Sequence, residues 1–112
     1  MTELTNPEDL KLVTLARGAR GRVGAAAGAS VRDQDGRTYS GASVDLATRS
    51  VSALELAVAT ALASGAKSLE AAVQVGGEIS DADAQLTRAC LQPGGLLVLC
   101  AASGDVISVA SQ

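Results

Sequence analysis

Tyr39 is the only aromatic side chain in the sequence, and that shortage constrains everything the chain can build. Phe and Trp are absent, while 22 of the 112 residues are Ala and 12 are Gly. A core must come from Ala, Val and Leu. Each of these buries little area, so burial against a second subunit is an expected supplement. The length fits one domain over residues 1–112, and a chain of this size buries roughly 65% of its unfolded surface, enough for a real core.

The same shortage limits chemistry. Without His there is no Ser–His or Cys–His pair and no His-containing metal site. Cys90 and Cys100 alone cannot supply a four-Cys zinc site within one chain, so no metal and no other cofactor is expected. Nine basic against 12 acidic residues give a net charge of −3, which disfavours nucleic-acid and anionic-membrane binding. No apolar run of about 18 residues is long enough to cross a membrane. The start Met1-Thr2-Glu3-Leu4-Thr5 lacks the basic and apolar regions of a signal peptide. The default location is the cytoplasm, with both thiols reduced and buried.

Asn6-Pro7-Glu8-Asp9 combines an N-cap, an N1 proline and two first-turn acids, and predicts a helix that Gly18 ends. Arg17, Arg20 and Arg22 suit phosphate contact, but without aromatic stacking partners they read as a solvated helix end. Residues 25–32 and 38–44 flank Asp35-Gly36 and predict a hairpin. Residues 50–66 carry one charge, Glu55, and predict a helix apolar all round and therefore buried. Ser52-Ala-Leu-Glu55 at its start is a capping box. A strand over 68–75 follows, then a helix from Ser80-Asp81-Ala82-Asp83 to about Leu91, stopped by Gln92-Pro93-Gly94-Gly95. The apolar run 96–102 predicts a central strand buried on both faces, and 106–110 a last short strand. This order predicts an α/β fold with a mixed sheet covered by helices.

The segment Gly28-Ala-Ser-Val-Arg-Asp-Gln-Asp-Gly-Arg-Thr-Tyr-Ser-Gly-Ala-Ser-Val-Asp45 resembles the opening hairpin of the cytidine deaminase family, G-A-A-L-L-x-x-D-G-x-x-Y-x-G-x-N-V-E. The family block C-A-E-R-x-A-I falls on Ser52–Val58, and its P-C-G-x-C motif on Asp81–Gln85. The resemblance spans about residues 6–110. It implies a cytidine deaminase-like three-layer α-β-α fold with a mixed five-stranded sheet, about three helices, and a homodimer or homotetramer. It also implies a zinc ion held by three thiolates, with a Glu that moves protons. Here the thiolate positions are Ser52, Ala82 and Gln85, and the Glu position is Leu54. A hydroxyl, a methyl and an amide do not replace three thiolates. The family's ribose-binding Asn and Glu fall on Ser43 and Asp45, and its stacking Phe on Ala25.

The expectation is therefore a catalytically inactive, homo-oligomeric structural or interaction module, with an unknown protein partner open. One alternative is a weak nucleoside or small-molecule sensor with a vestigial pocket at Ser43, Asp45, Ser52 and Glu55. A second is a metal-free enzyme using Glu55, Asp45 or a cysteine. Glu55 itself serves as a cap or, if buried, as a desolvated acid with a raised pKa. The two serine-capped helix starts suggest that caps have taken the place of the metal site.

Overall fold

The computed structural model describes residues 4–112; residues 1–3, part of the segment weighed for a signal sequence, lie outside them. Ten elements follow in chain order: α1 (Pro7–Val23), β1 (Gly28–Asp33), β2 (Thr38–Ala42), β3 (Val44–Asp45), β4 (Ser50–Val51), α2 (Ala53–Ala63), β5 (Leu69–Val75), α3 (Asp81–Cys90), β6 (Leu91–Cys100) and β7 (Val106–Ser111). Five strands form one mixed sheet in the order β2-β1-β5-β6-β7, with β5 and β6 parallel and the other pairs antiparallel. The fold expected from the sequence is observed: three layers, a mixed five-stranded sheet and three helices. The two-residue ribbon β3–β4 was not expected.

Strand alternation sends side chains to two separate cores. Ala29, Val31, Leu69, Ala72 and Leu97 meet Leu54, Ala57, Val58 and Ala61 of α2. Val73, Val75, Val98 and Cys100 meet Leu12, Val13 and Ala16 of α1 on the opposite face. No helix among the described residues is long and apolar enough to cross a membrane.

The structure corrects three expectations. Helix α1 does not end at Gly18 but continues to Val23, where Gly24 takes the left-handed conformation (φ 63°) and donates its N–H to the Arg20 carbonyl. Tertiary packing outweighs the weak helix propensity of Gly18 and Gly21. A Cβ on Gly28 of β1 would collide with the Ala16 carbonyl and come within 2.7 Å of the Arg20 nitrogen, so the helix backbone rests directly on the strand.

Helix α2 is not buried all round. Glu55, Ala59, Thr60, Leu62 and Ala63 are exposed, because small residues look apolar in sequence without covering much surface. Finally, Gln92-Pro93-Gly94-Gly95 does not precede the strand but lies within it. Gly94 (φ 81°) lets the chain bulge, and pairing to β5 jumps from Leu91 opposite Leu69 to Leu96 opposite Ala71. Leu96 and Leu99 are half-buried, so β6 is not covered completely on both faces.

Candidate functional site

Helices α2 and α3 lie side by side on one face of the sheet, and each begins with a serine cap. The Ser52 hydroxyl accepts the Glu55 N–H at 3.1 Å, and the Ser80 hydroxyl accepts the Asp83 N–H at 3.1 Å. These bonds satisfy amide groups that a helix start otherwise leaves to solvent. Only the serine half of the expected capping box forms, since the Glu55 side chain makes no return bond to Ser52 among the described residues. Glu55 is exposed, so the desolvated-acid reading of this residue fails.

The four residues expected to share a pocket are only partly together. Glu55 lines a depression of about 500 Å³ with Arg49, Ser50, Val51, Leu56 and Ala59. Asp45 borders it by accepting the Ser50 hydroxyl at 2.7 Å. Ser43 is turned elsewhere: its hydroxyl accepts the Ala27 N–H at 3.1 Å and so ties the end of β2 to the start of β1. Ser52 is occupied by its cap.

Leu54 is fully buried in the core beneath α2, where it contacts the sheet rather than a cleft. Ala82 and Gln85 are exposed on α3. Among the described residues no three His, Cys, Asp or Glu side chains are grouped to hold a metal ion. The two thiols lie on opposite sides of the sheet and are not joined. Cys90 is half-buried rather than buried, while Cys100 is wholly enclosed. Burial pushes both thiol pKa values up, helped at Cys100 by the Asp105 charge. Both are therefore held in the protonated form, which is the poorer nucleophile and metal ligand.

The cytidine deaminase-like family model matches residues 5–104. This chain belongs to the cytidine deaminase-like family. Its structure is similar to that of cytidine deaminase from Burkholderia pseudomallei, with 26% identity, 90% of each chain covered and a TM-score of 0.78. Cytidine deaminases from Mycobacterium leprae (18% identity, 96% of this chain and 94% of that one, TM-score 0.70) and Mycobacterium tuberculosis (19%, 82% and 85%, 0.71) share the fold. A comparison with curated proteins gives no match.

Zinc is the metal that membership of the cytidine deaminase-like family implies. The donors at the positions where the sequence resemblance places its ligands do not fit it: Ser52 offers a hydroxyl already used as a cap, Ala82 no donor, and Gln85 a neutral amide.

Two further polar groups escaped the sequence reading. Arg32 on β1 crosses the α1 side of the sheet, donating to Asp9 at 2.9 Å and to Glu70 at 2.7 Å. Burial opposes the Arg32 charge, but hydrogen bonds and charges from Glu70 and Asp9 outweigh it and raise its pKa. The signal was available, since Asp9 sits three and four residues before Leu12 and Val13 on the buried stripe of α1.

Asp33 closes the hairpin. Its carboxylate accepts the Asp35 and Arg37 N–H groups at 2.9 and 3.0 Å and the Tyr39 hydroxyl at 3.0 Å. Burial would raise its pKa, yet the Arg37 and Asp35 amides, the Tyr39 hydroxyl and the Arg37 charge together lower it. The lone aromatic residue thus serves a turn rather than a ligand.

Proposed function

We propose that this member of the cytidine deaminase-like family is a non-catalytic, single-domain protein that works as a homo-oligomeric structural or interaction module. The cytoplasmic setting expected from the sequence, and a further protein partner, are part of this reading. The observation that carries it is the substitution of the whole chemical set. Ser52, Ala82 and Gln85 stand at the metal positions, and Leu54, buried in the core, stands at the position of the proton-moving Glu. Without a metal to lower the pKa of water, hydroxide is scarce at neutral pH, and no other group here is placed to generate it.

The test is the metal content of untagged protein by mass spectrometry, followed by a spectrophotometric assay with cytidine. The expected result is zinc far below one per chain and no turnover. About one zinc per chain, or conversion of cytidine to uridine, overturns the proposal.

A second reading rests on the depression beside Glu55. Arg49, Ser50 and Glu55 give it polar groups of both charges on an apolar wall of Val51, Leu56 and Ala59, a lining suited to weak binding of a nucleoside or similar small polar molecule. A thermal-shift screen with nucleosides decides it, because a ligand at 100 times its Kd adds about 2.7 kcal/mol of stability. The metal-free enzyme gains no support, since Asp45 and Glu55 are exposed and both thiols are held protonated.

A further inference from the structure

The sheet has an unguarded edge at β7. This strand, Val-Ile-Ser-Val-Ala-Ser, contains neither a charged residue nor a proline, the usual obstacles to pairing at a sheet edge, and Ile107 is exposed on it. Gln112 exchanges backbone bonds with the bulge in β6, donating to the Gly95 carbonyl at 2.8 Å and accepting from the Gly94 N–H at 2.9 Å. In an antiparallel ladder, alternate residues bond to the same neighbour. Ala110 and Ser108, opposite Leu97 and Leu99, therefore continue the bonding to β6, while Ser111 and Val109 turn their amides outward.

A groove of about 440 Å³ runs beside this edge, between α3 and the β6–β7 surface. Leu97 and Leu99 contribute to its floor, and the small Ser108 and Ala110 leave it open toward β7. Its ends carry opposite charges. Glu78 lies between β5 and α3, at the end of the sheet where β7 begins. Arg88 lies in the last turn of α3, at the end where β7 finishes, and its carbonyl accepts the Gln112 side-chain amide at 3.0 Å. Both side chains are exposed, and neither forms an ion pair among the described residues.

We propose that β7 pairs antiparallel with β7 of a second copy of this chain, across a two-fold axis that sets Glu78 of each copy toward Arg88 of the other. The two-fold follows from the charge order. Antiparallel pairing reverses the partner strand and keeps both grooves on the same face of the joined sheet, so the acidic end of one meets the basic end of the other; parallel pairing turns the partner's groove to the opposite face, where the charges do not meet. The contact is self-complementary and closed, which makes a dimer rather than a filament. It joins two five-stranded sheets into one. The small side chains of Ser108 and Ala110 leave room for the stems of the long Glu78 and Arg88 side chains to lie across the seam.

This inference rests on the homo-oligomeric part of the proposed function and names its interface. Sedimentation velocity of the full chain over a concentration series tests it, with a reversible dimer expected. Glu78→Arg and Arg88→Glu should each raise the dimer dissociation constant roughly tenfold or more, through like charges brought together twice across the axis. The double variant E78R/R88E should return it to near the starting value. Ser111→Pro removes a donor that faces the partner rather than β6, and should weaken the dimer without changing the far-ultraviolet circular dichroism.

A double variant as weak as the single ones overturns the pairing. An oligomer unmoved by every variant also overturns it, while leaving a homo-oligomeric module standing. A protein that is monomeric at every concentration overturns both. Zinc content and deamination bear only on the non-catalytic reading.

Discussion

The two faces of the sheet are held by different physics. On one, α1 is fastened by an ion-paired arginine and by direct backbone contact at Gly28. On the other, α2 and α3 are capped by serines, and the core beneath them is largely Ala, Val and Leu. The first arrangement is intolerant of change, because a buried charge or a strand touching a helix leaves no slack. The second tolerates exchange at its helix starts. That difference leaves the starts of α2 and α3 free to carry side chains of varied chemistry, such as the hydroxyl of Ser52 and the methyl of Ala82, without loss of the fold. The helix ends need hydrogen-bond acceptors, and serine provides them.

The comparison predicts a ranking. Arg32→Ala should cost about 3–5 kcal/mol in urea unfolding, because Asp9 is left buried without its partner. Replacing Asp9, Arg32 and Glu70 together with Leu, Met and Leu should cost far less, and a large loss there would contradict the desolvation argument. On the other face, Leu54→Ala should cost about 2–5 kcal/mol, depending on how far α2 settles into the cavity. Gly28→Ala should cost about 1–3 kcal/mol by forcing α1 off β1. Ser52→Ala and Ser80→Ala should each cost only about 1 kcal/mol. Cap variants as damaging as Arg32→Ala would erase the contrast between the faces.

The smallest effect concerns the hairpin. The folded-state pKa of Asp33 is lowered, so its stabilisation is fully present above the ordinary carboxylate range and is lost as pH falls through the lowered value. Melting temperature should accordingly fall more steeply in acid for the wild type than for Asp33→Asn. Parallel acid limbs would remove Asp33 from the account.

Much of this was legible in the chain. The hairpin, the serine caps and the order of elements follow from local signals at Asp35-Gly36, Ser52, Ser80 and the strand-forming runs. What local signals missed depends on contacts distant in sequence. Gly18 looks like a helix stop until Gly28, ten positions later, is known to lie beneath that helix. Arg32 gains its meaning from Glu70, thirty-eight positions away. At the candidate site, the side-chain types at Ser52, Leu54, Ala82 and Gln85 could be read directly. The division of Ser43, Asp45, Ser52 and Glu55 among separate tasks could not, since only the folded backbone decides which way each side chain points.

The central position of β5 has a consequence for synthesis. It lies between β1 and β6 in space but is made well after the hairpin it completes. A nascent chain that has emerged only through residue 68 can form α1 and the β1–β2 hairpin, yet the inner edge of β1 has no strand beside it. Non-local pairing of this kind is slow, and unpaired edges invite mispairing while they wait. The stretch of translation between β2 and β5 is thus the interval of greatest exposure, and a ribosome pause placed there would lengthen the life of an open sheet.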